Sequence, residues 1–375
     1  MTDQPFCVLP WFHQVVKTNG EVKPCCQWKK SIPDYDAATF FNGKFMNELR
    51  ESFKNNIPHN ECRNCIYVEK TGNRSHRQLG FIRADMLKIT DVPKLLSQEV
   101  RLSNLCNLKC RMCNQKSSTK WIADEIAMGH KSVGLLESNW SLSIEQVNTV
   151  ELLTFTGGEP MLHQDILCKE LTKLKNANRL NLLILTFNTN MTIEISDELI
   201  ELFKQTKGTY ICCSIDGVGK INEYIRSDTI WSDVEKNMNI FYTLSKNYNN
   251  IFLSTNSVYN VFSAESFTEL MYWISQYTDM VTILLQNMPA IQDARNLPMG
   301  YKNKLIKKYE IDLQKCSNSI IAEKYKIIIN HLQNTPTINY DIWKKRFKIH
   351  NDFLDQRRHV NLVDVLPELA DIINS

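Results

Sequence analysis

The chain has 375 residues, 43% hydrophobic and 23% charged, proportions that exclude wholesale disorder and leave ample material for a core. The length suggests two or three domains. A net charge of +3 argues against a chain built to bind nucleic acid, and no apolar run approaches the roughly 18 residues of a membrane span.

Residues 1–98 hold few long periodic segments. One helix is predicted from Phe40 to Lys54, where Phe41, Phe45, Leu49 and Phe53 recur at four-residue spacing. The basic, polar stretch from Thr71 to Arg83 reads as a connector. From residue 99 short β-like runs alternate with helical ones. The predicted strands are Glu99–Ser103, Leu152–Thr156, Leu180–Phe187, Thr209–Ile215, Ile251–Asn256 and Val281–Gln286. Helices are expected near 114–129, 163–176, 196–205, 231–246 and 263–276. This alternation predicts an α/β fold of six parallel βα units, a partial (β/α)6 TIM-like barrel. Past Pro298 the chain reads as helices. The expected division is 1–98 for a small N-terminal module, 99–290 for the barrel and 291–375 for a helical extension.

The N-terminus has no basic segment followed by an apolar one, so a cytoplasmic location is the expectation. In a reducing compartment the twelve cysteines read as metal ligands or catalytic groups before disulfides. Eight of them fall before residue 114, while Cys168, Cys212, Cys213 and Cys316 are scattered among apolar neighbours as small buried hydrophobes.

The strongest motif is Cys106-x3-Cys110-x2-Cys113, directly after the first strand of the βα series. Three thiolates on one short loop can hold three corners of an iron–sulfur cubane and leave one iron open to chelate a ligand, whereas ordinary cubanes and structural zinc take four ligands. The strand Leu152–Thr156 then ends in Gly157-Gly158-Glu159-Pro160, where two glycines let the backbone approach a ligand and Glu159 offers an acceptor for an ammonium group. The fourth strand ends Ser214-Ile215-Asp216, a hydroxyl and a carboxylate expected on one face and suited to a ribose diol. The segment Asn222-Glu223-Tyr224-Ile225-Arg226 follows.

These motifs resemble the radical S-adenosylmethionine (SAM) superfamily. The resemblance implies that Cys106, Cys110 and Cys113 carry a [4Fe–4S] cluster whose open iron binds SAM, with Met112 in the position before the last cysteine. It implies that Gly157, Gly158 and Glu159 meet the SAM amino group, that Ser214 and Asp216 serve SAM, that Arg226 reaches its carboxylate, and that Asn190 stands where the family has Thr-Asn-Gly, with Met191 in place of the glycine. The implied reaction is reductive cleavage of SAM to a 5′-deoxyadenosyl radical, which abstracts a hydrogen atom from substrate. An electron donor such as flavodoxin or ferredoxin is implied as partner.

In the first segment Cys7, the Cys25-Cys26 pair, and Cys62-x2-Cys65 offer four thiolates, enough for zinc or a closed cubane. Gly20-x4-Cys25, a helix and a C-x2-C pair resemble the auxiliary-cluster modules called SPASM and twitch, although those usually follow the barrel. The resemblance implies a second [4Fe–4S] cluster on Cys7, Cys25, Cys62 and Cys65. The tail, Phe353 to Arg358 with Leu366-Pro367-Glu368-Leu369, resembles the ending of radical SAM proteins with this layout and reads as a helix pair without chemistry.

Residues 300–350 carry eleven Lys and Arg against four Asp and Glu, read as a solvated helical face. Tyr301, Tyr309, Tyr325, Tyr340, Trp343 and Phe347 there read as core. His13, His59 and His163 are isolated candidates for a general base, and no catalytic residue is singled out. The substrate is a peptide or a small molecule. The rival reading is a cysteine-rich zinc protein that meets nucleic acid through its basic C-terminal helices; it leaves the Gly157–Pro160 and Ser214–Asp216 motifs as coincidences.

Overall fold

The computed structural model describes residues 6–70 and 74–374. Its strands are β1 (His13–Val16), β2 (Val22–Lys23), β3 (Ser97–Arg101), β4 (Leu152–Thr156), β5 (Ile184–Thr189), β6 (Gly208–Ser214), β7 (Ile251–Tyr259) and β8 (Val281–Leu285). They form one sheet in the order β2-β1-β3-β4-β5-β6-β7-β8. β1 and β2 pair antiparallel; β1–β3, β3–β4, β4–β5 and β7–β8 pair parallel. The architecture is α/β with a mainly parallel sheet and a helical C-terminus, consistent with the expected partial barrel. No helix among the described residues is long and apolar enough to cross a membrane.

The chain divides into two compact units. The first comprises Met1–Leu105, Gly134–Asn188 and Ile195–Tyr210; the second comprises Cys106–Val133, Thr189–Glu194 and Ile211–Ser375. In the first unit the alternation of β3 and β4 separates two faces. Val100, Leu153 and Phe155 are buried on one face, while Arg101, Thr154 and Thr156 on the other are half-buried. An apolar cluster in this unit gathers Leu9, Trp11, Phe12, Phe40, Phe41, Met46, Leu49 and Phe53 together with Leu152 and Ile184 of the sheet.

The second unit holds the helices Met299–Lys315, Ser319–Gln333 and Tyr340–Arg358. Asn318 and Asn339 cap the last two, each side chain accepting from backbone N–H groups of the first turn. Tyr301, Tyr309, Tyr325, Trp343 and Phe347 are buried, and Tyr340 is half-buried.

Several boundaries differ from the sequence reading. The first helix begins at Lys44, not Phe40, because Gly43 is extended at its N-cap and lies against the Tyr35 ring. Of the expected connector, residues 71–73 lie outside the described residues. From His76 to Met86 the chain is helical, started by a capping box of Ser75 and Gln78. Leu180–Leu182 is a 3-10 turn and the strand starts at Ile184. The helix expected from 114 is confined to Ile122–Ala127 after one 3-10 turn. Asn114 and Ser118 instead accept hydrogen bonds from Lys116 and Lys120 N–H, side-chain turns that compete with a helix.

Candidate functional site

In the second unit the cysteine loop is built onto the segment that follows β6. Lys109 N donates to Ser227 O at 3.0 Å and Arg111 N to Ile225 O at 2.8 Å, so the loop runs beside Arg226. Trp121 Nε1 donates to Cys110 O at 2.8 Å, and Gln292 Nε2 donates to Arg111 O at 2.7 Å. The sulfurs face donors. Leu108 N–H is 3.5 Å from Cys106 Sγ, Asn190 Nδ2 is 3.9 Å from it, and Arg226 Nη1 is 3.8 Å from Cys110 Sγ. A hydrogen bond from Cys113 holds the Cys110 thiol below its ordinary range against its burial, with Arg226 adding to the effect. The same bond and burial raise Cys113.

Asn190 also donates to Asn107 Oδ1 at 2.9 Å, which orients the loop between the first two cysteines. Met191, where a glycine was expected, has φ +66°, the left-handed conformation that glycine adopts most readily. Met112 is half-buried.

Ser214 closes β6, and Asp216 lies two residues beyond it. Ser214 is half-buried, but Asp216 is fully buried and contacts Arg226 Nε at 2.7 Å, while Val258 N–H donates to its Oδ1 at 2.6 Å. Burial opposes the Arg226 charge, yet Asp216 and the two thiols Cys110 and Cys113 hold it firmly. The close contact lacks hydrogen-bond alignment, so Asp216 Oδ2 and Arg226 Nε are buried without a hydrogen-bond partner.

The middle residue of the loop, Arg111, is fully buried. Its guanidinium pairs with Asp355, donates to Asn351 Oδ1 at 2.8 Å and Tyr224 O at 2.9 Å, and lies 3.7 Å from the Tyr224 ring centroid. Nearby Asp124 binds Arg357 at 2.8 Å and Arg358 at 3.0 Å, and Arg358 covers the Trp121 ring. The helix Tyr340–Arg358, read from sequence as free of chemistry, therefore grips the cysteine loop. A polar stripe at helical spacing, Asn351, Asp355 and Arg358, was the available signal.

In the first unit Gly157 has φ +119°, and a Cβ there would stand 3.0 Å from Ser103 O. A Cβ on Gly158 would lie 2.0 Å from the Leu105 carbonyl oxygen, so only glycine fits. Gly158 N donates to Ser103 O at 2.9 Å and Glu159 N to Leu105 O at 2.8 Å, tying this turn to the residue that precedes Cys106. Glu159 is buried and accepts from Met161 N at 3.0 Å.

The N-terminal cysteines also lie in the first unit. Burial raises Cys7 to about 12 and Cys62 to about 11, with Cys62 and Cys65 acting on Cys7 and Cys65 acting on Cys62. Cys25 is raised by burial and then by Cys7, with Cys26 and Cys65 contributing. Cys7 thus feels Cys62 and Cys65, Cys25 feels Cys7 and Cys65, and Cys62 feels Cys65. Cys26 turns elsewhere: its Sγ is 3.5 Å from His76 Nε2, and its other charged neighbours are Glu99, Arg101 and Lys17. Among the described residues, no three His, Cys, Asp or Glu side chains stand within chelating distance of one another. The chemistry of the donor set still fits a thiolate-bound cluster: three cysteines on one loop, with N–H donors and a guanidinium facing the sulfurs to offset their charge.

The isolated histidines have ordinary partners. His13 Nδ1 meets Ser97 Oγ at 2.9 Å, His59 stacks on Trp28, and His163 meets Ser103 Oγ at 2.6 Å.

No curated protein matches the sequence. Among solved structures the chain is similar to native anSMEcpe with bound AdoMet, at 20% identity and a TM-score of 0.39 over 50% of this chain and 52% of that one. The hexahistidine-tagged form with bound AdoMet gives 19% identity and a TM-score of 0.40, covering 58% of this chain and 60% of the other. Streptococcus suis SuiB gives 14% identity and a TM-score of 0.37, covering 82% and 69%. The chain spans 52% and 60% of the length of the two anSMEcpe chains. The stretch that carries the cysteine loop, the Gly157–Pro160 turn, Asp216 and Arg226 falls within residues 100–259, and it is these residues that match the Radical SAM superfamily.

Proposed function

We propose that the protein is a radical SAM enzyme acting on a peptide or small molecule, with Cys106, Cys110 and Cys113 as ligands of a [4Fe–4S] cluster. When bound, that cluster supplies the electron that cleaves SAM to methionine and a 5′-deoxyadenosyl radical, which takes a hydrogen atom from substrate. The observation that carries this reading is the three-cysteine loop itself, its sulfurs faced by Leu108 N–H, Asn190 and Arg226. Asn190 and the backbone pairing with Ile225 and Ser227 hold the loop's shape. We assign the buried Asp216–Arg226 pair, whose guanidinium also faces Cys110 Sγ, to the hydroxyl and carboxylate of SAM. Gly157 and Gly158 let backbone come close to its amino group, for which Glu159 is the acceptor. Ser214 and Met112 complete the set. Cys7, Cys25, Cys62 and Cys65 hold an auxiliary [4Fe–4S] cluster, and an external donor such as flavodoxin or ferredoxin delivers the electron.

The test is anaerobic reconstitution followed by reduction with dithionite in the presence of SAM. The wild type should form 5′-deoxyadenosine, and Cys106→Ala, Cys110→Ala and Cys113→Ala should each abolish it, because each removes one of three ligands. The triple variant should retain about four irons on the N-terminal cysteines, the content of one cubane. Zinc in place of iron there would remove the auxiliary cluster and leave the radical site standing; normal 5′-deoxyadenosine formation by a single-cysteine variant would overturn the whole assignment.

A further inference from the structure

Lys17 follows β1 and Arg101 ends β3, and the parallel register of Val16 with Val100 sets them side by side. Glu99, two residues earlier on the same face, meets Arg101 through one oxygen, Oε1, at 2.9 Å from Nη2 and 3.3 Å from Nε. Thr156 Oγ1 reaches that oxygen at 3.5 Å. Thr156 leads into Gly157, where a Cβ would be 3.2 Å from Arg101 Cβ, so this cluster abuts the glycine turn. Cys26, 3.5 Å from His76 Nε2, is near enough to feel Glu99, Arg101 and Lys17. Lys17, Cys26, His76, Arg101 and Thr156 are all half-buried.

The two cations are not used up. Among the described residues no acceptor lies within hydrogen-bonding reach of Lys17 Nζ or Arg101 Nη1. Leaving a partly desolvated ammonium unpaired is costly, and burial pulls Lys17 below the ordinary lysine range. Lys23, another cation that Lys17 feels, is already paired with Glu21 at 3.1 Å. Lys17 and Arg101 against Glu99 leave one net positive charge at the strand ends, and Arg83 adds a further cation on the His76 side. The strand-end charge balances a monoanion, whereas a phosphate dianion would put excess negative charge beside Glu99.

We propose that Lys17 and Arg101 form a subsite for a substrate carboxylate, with Cys26 and His76 on its wall. The assignment of substrate rests on the reading of the protein as a SAM-cleaving enzyme.

Iodoacetate is a probe of this geometry. It carries a carboxylate and delivers its methylene carbon to a neighbouring thiolate, releasing iodide. The neutral iodoacetamide does the same chemistry without the charge. On the anaerobically purified protein, alkylation of the Cys26 peptide is read by mass spectrometry, with Cys316 as internal reference. Cys26 should favour iodoacetate over iodoacetamide by about tenfold relative to Cys316, the size of a focused local field. Acetate should suppress the preference at lower concentration than inorganic phosphate. The Lys17→Gln/Arg101→Gln variant should lose the preference with SAM affinity unchanged, and Arg101→Lys should keep part of it. An absent preference, one that survives in the double variant, or better protection by phosphate overturns the proposal. So does a fall in SAM affinity, which would give the pair to SAM. The label is read whether or not 5′-deoxyadenosine forms, so failure of the radical reading and failure of the subsite are separate results.

Discussion

Asp355→Ala tests whether the C-terminal helix holds the cysteine loop. Arg111 is fully buried, and Asp355 is the carboxylate paired with it. Removing that carboxylate leaves a buried cation with Asn351, the Tyr224 carbonyl and the Tyr224 ring, none of which carries a negative charge. Breaking a buried pair this way costs about 3–5 kcal/mol. The same substitution removes an acceptor from Tyr224 OH at 2.9 Å and from Leu362 N at 2.9 Å, which places the expected loss in the upper part of that range. Urea unfolding followed by tryptophan fluorescence gives the number, and Trp121, bonded to Cys110 O, reports on the loop itself. The partner control is Arg111→Met with Asp355→Leu. Taking away both charges removes the uncompensated ion, so the double variant should be closer to wild type than Asp355→Ala alone. A loss below about 1 kcal/mol for Asp355→Ala, or a double variant as unstable as the sum of its singles, would refute the claim that this pair clamps the loop.

Three further outcomes are expected. Asp216→Asn keeps an acceptor for Val258 N–H but strips Arg226 of its counter-charge; SAM affinity measured by equilibrium dialysis should fall by about 1.5–3 kcal/mol, and unchanged affinity would remove Asp216 from the SAM site. Burial alone would raise the Asp124 carboxyl, but hydrogen bonds from Arg357 and Arg358 win and hold it below its usual 3.8. A depressed carboxyl contributes stability above its unfolded value and loses it as pH falls through the folded one, so Asp124→Asn should be less stable at neutral pH and flatter in acid unfolding below about pH 4. Gly158→Ala should cost about 1–3 kcal/mol, because the Leu105 carbonyl is backbone and cannot swing away; a thermal scan showing no loss would mean the turn relaxes.

Barrel strands such as β4 were legible because they are short runs rich in apolar and β-branched residues bounded by turn residues, and β4 matches its predicted bounds. β1 and β2 were not. They have four and two residues, and β1 pairs in parallel with β3, 84 positions away, a contact that no local period records. Phe41 continued the helical spacing into a turn because it is buried in the same core as the helix it precedes. Among the candidate site residues, the backbone need for glycine at 157 and 158 was legible in the Gly-Gly turn. The pairing of Asp216 with Arg226 could not be read, since it joins two segments that no local period relates. Nor could Arg111 be read, because its meaning lies in residues of another helix.

The clamp on the cysteine loop also has a consequence in time. Arg111 and Asp355 are 244 positions apart, so at about 5–20 residues per second a ribosome makes the helix end roughly 12–50 s after the loop. Throughout that interval the three cysteines are exposed to metal ions and oxidants on a loop without its anchor. For the proposed cluster, iron that arrived during synthesis would meet thiols without that anchor, and iron that arrived after release would meet a positioned set. Cells that starve for iron during translation but recover it later should therefore still be able to load this protein, whereas a chain truncated before Asn351 should load poorly however much iron is supplied.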